Sequence, residues 1–166
     1  MEPMNGLDFI KIVRSGGDPE IRRDTPIIML TGDSDANVFA TAMALDVDAF
    51  VKKPVGKNAF SEKIQRCFDV PQLIKISSYY AGVQINAEQD ARSGAELDPL
   101  TMIEKTVDEV EVGDVIALDL VSSTGTLLLG AGMQIGANSI GRLKDLAEMG
   151  EFKIVVVGKK TQNDEP

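Results

Sequence analysis

Two short apolar runs, Ile27-Ile28-Met29-Leu30 and Ala49-Phe50-Val51, do most to limit what this chain can fold into. Each is too short for a stable helix and is rich in β-branched or aromatic side chains. Pro26 precedes the first, and Asp46-Val47-Asp48 turns into the second. Both read as buried strands, the second extending to Lys52. Between them, Ala36–Leu45 has the composition of a helix, with Asp33-Ser34-Asp35 ahead of it as N-cap oxygens. Strand, crossover helix and strand make a βαβ unit with parallel strands. Each strand then runs into a residue able to touch a phosphoryl group, the hydroxyl of Thr31 and the ammonium of Lys53. Singly, Thr31 reads as a helix-entry residue and Lys53 as a surface lysine. Together, with Pro54 following, they form a specific pair.

The flanks extend this unit. Asn5 is placed to cap a helix carrying Leu7, Ile10, Ile12 and Val13, which Ser15-Gly16-Gly17-Asp18-Pro19 ends. Pro54 stops the second strand, and a helix follows from Lys57 to about Phe68, with Phe60, Ile64, Cys67 and Phe68 on one face. Cys67 reads as a small packing residue. Val70-Pro71 marks the end of a first domain, residues 1–70. Residues 71–105 read as a partly ordered linker in which Gln72–Val83 is helical or extended and Ala87–Asp98 is polar and small. A second, β-rich α+β unit is expected over 106–158. In it Val115–Leu120 and Thr126–Leu129 flank the turn Ser122-Ser123-Thr124-Gly125, and Asn138-Ser139 cap a helix with Ile140, Leu143, Leu146 and Ala147 inward. Gly150 is its stop, Phe152–Val157 a last buried strand, and 159–166 a disordered tail.

Charge and composition exclude several functions. The net charge is −9. Residues 1–70 hold nine Lys and Arg against eleven Asp and Glu, and residues 71–166 eight against fifteen, so the acidity lies in the second part. An acidic surface repels phosphate backbones, and no nucleic-acid partner is expected. No basic amphipathic stretch or long apolar run points to a membrane. There is no histidine, which removes imidazole catalysis and histidine metal sites. The one cysteine forms no internal disulfide, which suits a reducing compartment. The opening Met-Glu-Pro-Met-Asn-Gly lacks the pattern of a secretory leader, so a cytoplasmic location is expected. The glycines of Gly130-Ala131-Gly132-Met133-Gln134-Ile135-Gly136 do not match a phosphate-binding loop, and no enzyme activity is expected. Asp114, Asp119 and Asp145 read as solvent-facing.

Residues 1–68 resemble the second half of a receiver domain, the phosphoacceptor module of two-component response regulators. The resemblance rests on Pro3-Met4-Asn5-Gly6, Pro26–Thr31, Ala49–Pro54 and the closing helix. It implies the fold class: a partial flavodoxin-like half (βαβα, parallel strands) followed by the small C-terminal α+β module. It also implies that Thr31 hydrogen-bonds a phosphoryl group, that Lys53 pairs with it, and that Lys53-Pro54 is a cis peptide. Phe50 would take the aromatic switch position. The family's acceptor aspartate would fall just ahead of Met1, and the carboxylates that hold Mg²⁺ belong to strands that find no match here. The chain as written is therefore expected to carry no cofactor and not to be phosphorylated. A fuller receiver would take Mg²⁺ and a phosphoryl group from a sensor histidine kinase or phosphotransfer protein. The family's third strand would lie beside Ile27–Leu30, and without it that run would show an apolar edge. The face formed by residues 36–68 would meet a protein partner or a second copy. The alternative is a protein–protein scaffold that never meets phosphate.

Residues 106–158 look similar to a small module found beside HD-GYP phosphodiesterase domains. The matching residues are Val112-Gly113-Asp114-Val115-Ile116-Ala117-Leu118-Asp119-Leu120, Gly125-Thr126-Leu127-Leu128-Leu129, Gly132, Ile140, Leu143-Lys144 and Ile154-Val155-Val156-Val157. The resemblance implies an interaction or output module.

Overall fold

The capping box that starts helix α1 (Gly6–Ser15) is local and complete. Asp8 donates its amide to Oδ1 of Asn5 at 2.9 Å, and the Asn5 amide reaches back to the Asp8 carboxylate at 3.4 Å. Leu7, Ile10 and Val13 face inward, and Arg14 joins them. Gly16 closes the helix in the left-handed region, φ 80°. A Cβ there would also come within 3.2 Å of the Arg23 side chain.

The computed structural model describes residues 4–32, 36–70, 74–85 and 102–158, and the chain divides into two units, Met1–Gln89 and Asp90–Pro166. The described residues make a mixed α/β fold of five α-helices, a parallel strand pair and antiparallel sheets.

In the first unit, β1 (Ile28–Thr31) and β2 (Ala49–Lys52) pair in parallel, with Ile28 opposite Ala49 and Thr31 opposite Lys52. The crossover is helix α2 (Ala36–Ala44), which buries Phe39, Ala40, Ala42 and Met43. The expected cap Asp33-Ser34-Asp35 lies outside the described residues. β2 is buried through Val51, but β1 is not the fully buried strand expected from its composition: Leu30 is 41% exposed. Among the described residues β1 has β2 on one edge and no strand on the other, so its side chains are only half covered.

Helix α3 (Lys57–Asp69) packs beside β2 on a narrow stripe, with Cys67 buried. Phe68, expected on the inward face, is 72% exposed. Neighbouring helical residues point about 100° apart, so the stripe that takes Cys67 turns Phe68 to solvent. Residues 77–82 settle as helix α4 (Ser77–Gly82), which packs against α1 with Tyr80 buried.

The second unit begins inside the stretch read as linker. β3 (Met102–Thr106) pairs antiparallel with β7 (Ile154–Gly158), which in turn pairs with β4 (Val115–Ile116). A 3-10 turn over Val107–Glu109 follows β3, and Glu109 accepts both the amide and the hydroxyl of Thr106 at 2.8 Å. The expected strand Val115–Leu120 breaks after Ile116. Its end forms β5 (Leu120–Val121), a hairpin partner of β6 (Leu127–Leu129). Helix α5 (Ala137–Met149) starts at Gly136 and has no side-chain cap, so Asn138 and Ser139 lie in its first turn and not ahead of it. Leu143 and Leu146 are fully buried, as are Ile116 and Val155 on the strands. Gly150, φ 90°, ends the helix with its amide on the carbonyls of Leu146 and Ala147.

The three aspartates read as solvent-facing are structural. Asp114 takes the Lys105 ammonium at 2.7 Å and the Glu111 amide at 2.9 Å. Asp119 accepts the Ala131 amide at 2.7 Å, and Asp145 is buried on α5. Short loops with unpaired amides recruit carboxylates in this way. Ala87–Asp98 and the tail 159–166 lie outside the described residues. Leu146→Ala is expected to cost the second unit about 2–5 kcal/mol through the cavity it leaves, measured by urea unfolding with far-ultraviolet circular dichroism.

Candidate functional site

Parallel pairing brings the C-terminal tips of β1 and β2 to one end of the sheet. The Lys53 amide donates to the carbonyl of Thr31 at 2.8 Å, continuing the ladder by one bond past β2. Thr31 is half-buried and Lys53 exposed. Between them Gly32 leaves room: a Cβ there would stand 4.0 Å from Cβ and Cδ of Lys53. Lys52 and Lys57 are also exposed, on the short path from β2 into α3. An exposed ammonium about 4 Å from a unit negative charge in water contributes roughly 1 kcal/mol of attraction, and salt weakens it.

The Lys53–Pro54 bond is cis, and Pro54 is exposed. Phe50 is placed differently from the other three residues singled out. It lies fully buried below the tip, edge-on to Phe39 with ring centroids 5.5 Å apart and planes at 85°. The structure thus joins Thr31, Lys53 and Pro54 at one sheet end and sets Phe50 in the core beneath them.

The opposite end of the same strands holds a cluster that sequence reasoning passed over. Arg14 is fully buried. One terminal nitrogen donates to the carbonyls of Arg23 and Thr25, at 2.6 and 2.8 Å. The other donates to the carbonyl of Asp46 at 3.0 Å and to Oδ2 of Asp48 at 3.1 Å. The same Asp48 oxygen accepts the Ile27 amide at 2.7 Å, and the Asp48 amide returns to the Ile27 carbonyl at 2.8 Å. Burial pulls the Arg14 pKa below its ordinary value, against the stabilising charge of Asp48.

Asp46 turns its carboxylate the other way. It accepts the Tyr80 hydroxyl at 2.8 Å and the Lys75 ammonium at 2.9 Å. Burial, reinforced by Asp46, pushes the Tyr80 phenol up to about 12. One signal could have found Arg14: it falls four residues after Ile10, on the apolar stripe of its helix. Asp46-Val47-Asp48 was read as a turn alone.

Among the described residues no group of three or more Asp, Glu, Cys or His could hold a metal ion. Asp46 and Asp48 are engaged with Lys75, Tyr80 and Arg14, and both precede β2, at the far end from Thr31 and Lys53. The described residues therefore do not fit a divalent cation beside the Thr31–Lys53 pair. No described helix is long and apolar enough to cross a membrane. No family model, curated protein or solved structure matches the chain.

Two outcomes test the far cluster. Asp48→Ala leaves a buried guanidinium without its counter-charge and is expected to destabilise the first unit by about 3–5 kcal/mol, read by urea unfolding. The second outcome follows from Tyr80. Folding raises its pKa, so the folded state holds the phenolic proton more tightly than the unfolded chain. That stabilisation is complete below about pH 10, the unfolded value. It is lost as the pH climbs toward the folded value of about 12. In Tyr79→Phe, where Tyr80 is the remaining tyrosine, tyrosinate absorbance should rise only at that upper end. A midpoint at the ordinary tyrosine value would contradict the buried placement.

Proposed function

We propose that the first unit is the phosphoryl-sensing half of a response-regulator receiver, a cytoplasmic module of two-component phosphorelay signalling. The observation that carries the reading is that Thr31 and Lys53 stand at adjacent tips of two parallel strands, tied by the Lys53 amide on the Thr31 carbonyl at 2.8 Å. A phosphoryl group held there would accept a hydrogen bond from Thr31 and a charge-assisted one from Lys53. Gly32 puts no side chain beside Lys53 there.

The pair senses; it does not accept. In a receiver the phosphoryl group is carried on a carboxylate as an acyl phosphate, and the described Asp46 and Asp48 stand at the other strand end. A sensor histidine kinase or phosphotransfer protein would supply the group in a fuller receiver. The second unit is then the interaction or output module, a reading that draws on its small antiparallel sheets and on helix α5. A second reading, a docking scaffold indifferent to phosphate, draws on the outward Phe68 of α3 and the half-covered Leu30.

Acetyl phosphate with Mg²⁺ is expected to leave the intact mass unchanged, and a stoichiometric phosphoryl adduct would overturn the assignment of acceptor and sensor. Orthophosphate titrated into the protein should shift the amide resonances of Gly32 and Lys53 in a saturable way, and Lys53→Ala should abolish those shifts. Lys53→Ala should leave stability within about 0.5 kcal/mol, because the side chain is exposed. An absence of phosphate-dependent shifts in the parent protein would favour the scaffold.

A further inference from the structure

We propose that residues 74–83, with helix α4 at their centre, form a detachable clasp whose release lengthens the tether into the second unit while the first unit stays folded. This inference is independent of the anion pair at the other strand end.

The clasp is held by the packing of α4 on α1 and by a set of polar contacts. Tyr80 is its buried side chain, whereas Ile76 is 73% exposed. α4 is too short to be stable alone. The polar contacts are the Tyr80 hydroxyl and Lys75 ammonium on Asp46, the Arg23 guanidinium on the Lys75 carbonyl at 2.7 Å, and the Lys11 ammonium on the Val83 carbonyl at 2.6 Å. A short segment with one fully buried side chain opens at lower cost than the core, where buried apolar residues are contiguous.

The two aspartates divide the work so that opening spares the core. The acceptors of Arg14 (the carbonyls of Arg23, Thr25 and Asp46, and the Asp48 carboxylate) lie outside the clasp. Its departure would leave both terminal nitrogens of the guanidinium hydrogen-bonded. The receptor for the clasp, Asp46, sits at φ 51° just past α2. Glycine fits that left-handed cap without steric cost. An aspartate there gives up some backbone comfort and presents a carboxylate to Tyr80 and Lys75. The clasp also lies on the only covalent path from the first unit to the second. Once released, residues 74–85 can extend to about 40 Å.

Asp46→Gly tests this, because it removes the latch and suits the backbone. Amide exchange across 77–83 should accelerate about tenfold or more, as for a lost charge-assisted hydrogen bond, while α2 amides keep their protection. Tyr80→Phe should accelerate the same amides and not those of α2. Spin labels at Ser61→Cys and Lys153→Cys should give a broader distance distribution once Asp46→Gly is added. In the parent protein, exchange in low denaturant should open the clasp before α2, a comparison that holds even if a variant fails to fold. Clasp and α2 exchanging together at every denaturant concentration would overturn the proposal, as would unchanged clasp exchange in both folded variants.

Discussion

The first unit is organised around one buried cation. Arg14 comes from α1, and its guanidinium reaches the carbonyls of Arg23 and Thr25 and the turn at Asp46–Asp48. Its donors lie in one rigid plane, so the two loops must present their acceptors in a fixed arrangement. A charge this deep is tolerable only when paired and hydrogen-bonded. The Asp48 oxygen that supplies the counter-charge also accepts the Ile27 amide. The ion pair therefore sets where the parallel strands begin, and through that register it sets which residues meet at their other end.

Those two ends differ in kind. At one, the charges are paired, buried and engaged with backbone. At the other, Lys53 and its neighbours are exposed on a short path into α3. A site that binds anions reversibly needs cations not committed to internal partners, and a site that holds a fold together needs the opposite. The strands separate the two by a few residues of apolar β-structure, with Phe50 and Phe39 packed beneath the open end.

Much of this could be read from the residues alone where the signal was local. Asn5 with Asp8, the strand runs around Ile28 and Phe50, and Gly150 each act within a few positions of themselves. The failures were tertiary. Arg14 was passed over because its partners lie in two later loops. α4 has no helix signal of its own beyond Tyr80, which gains its place by meeting Asp46. Cys67 and Phe68 are both apolar, and only the width of the stripe against β2 decides which turns inward. β3 pairs with a strand near the end of the chain, so nothing near Met102 announces it. At the candidate site, the tip residues followed from strand direction, whereas the burial of Phe50 beneath them depended on α2.

The placement of Tyr79 and Tyr80 has an optical consequence. The chain has no tryptophan, and these are its two tyrosines, adjacent on α4. Tyr79 lies near the Lys75 ammonium, 4.4 Å from its ring centroid, and Tyr80 near the Arg23 guanidinium. Tyrosine fluorescence from this protein thus originates in a single short helix, and the second unit is dark at those wavelengths. A change in quantum yield or lifetime reports on that helix directly, with no label and no background from the rest of the chain.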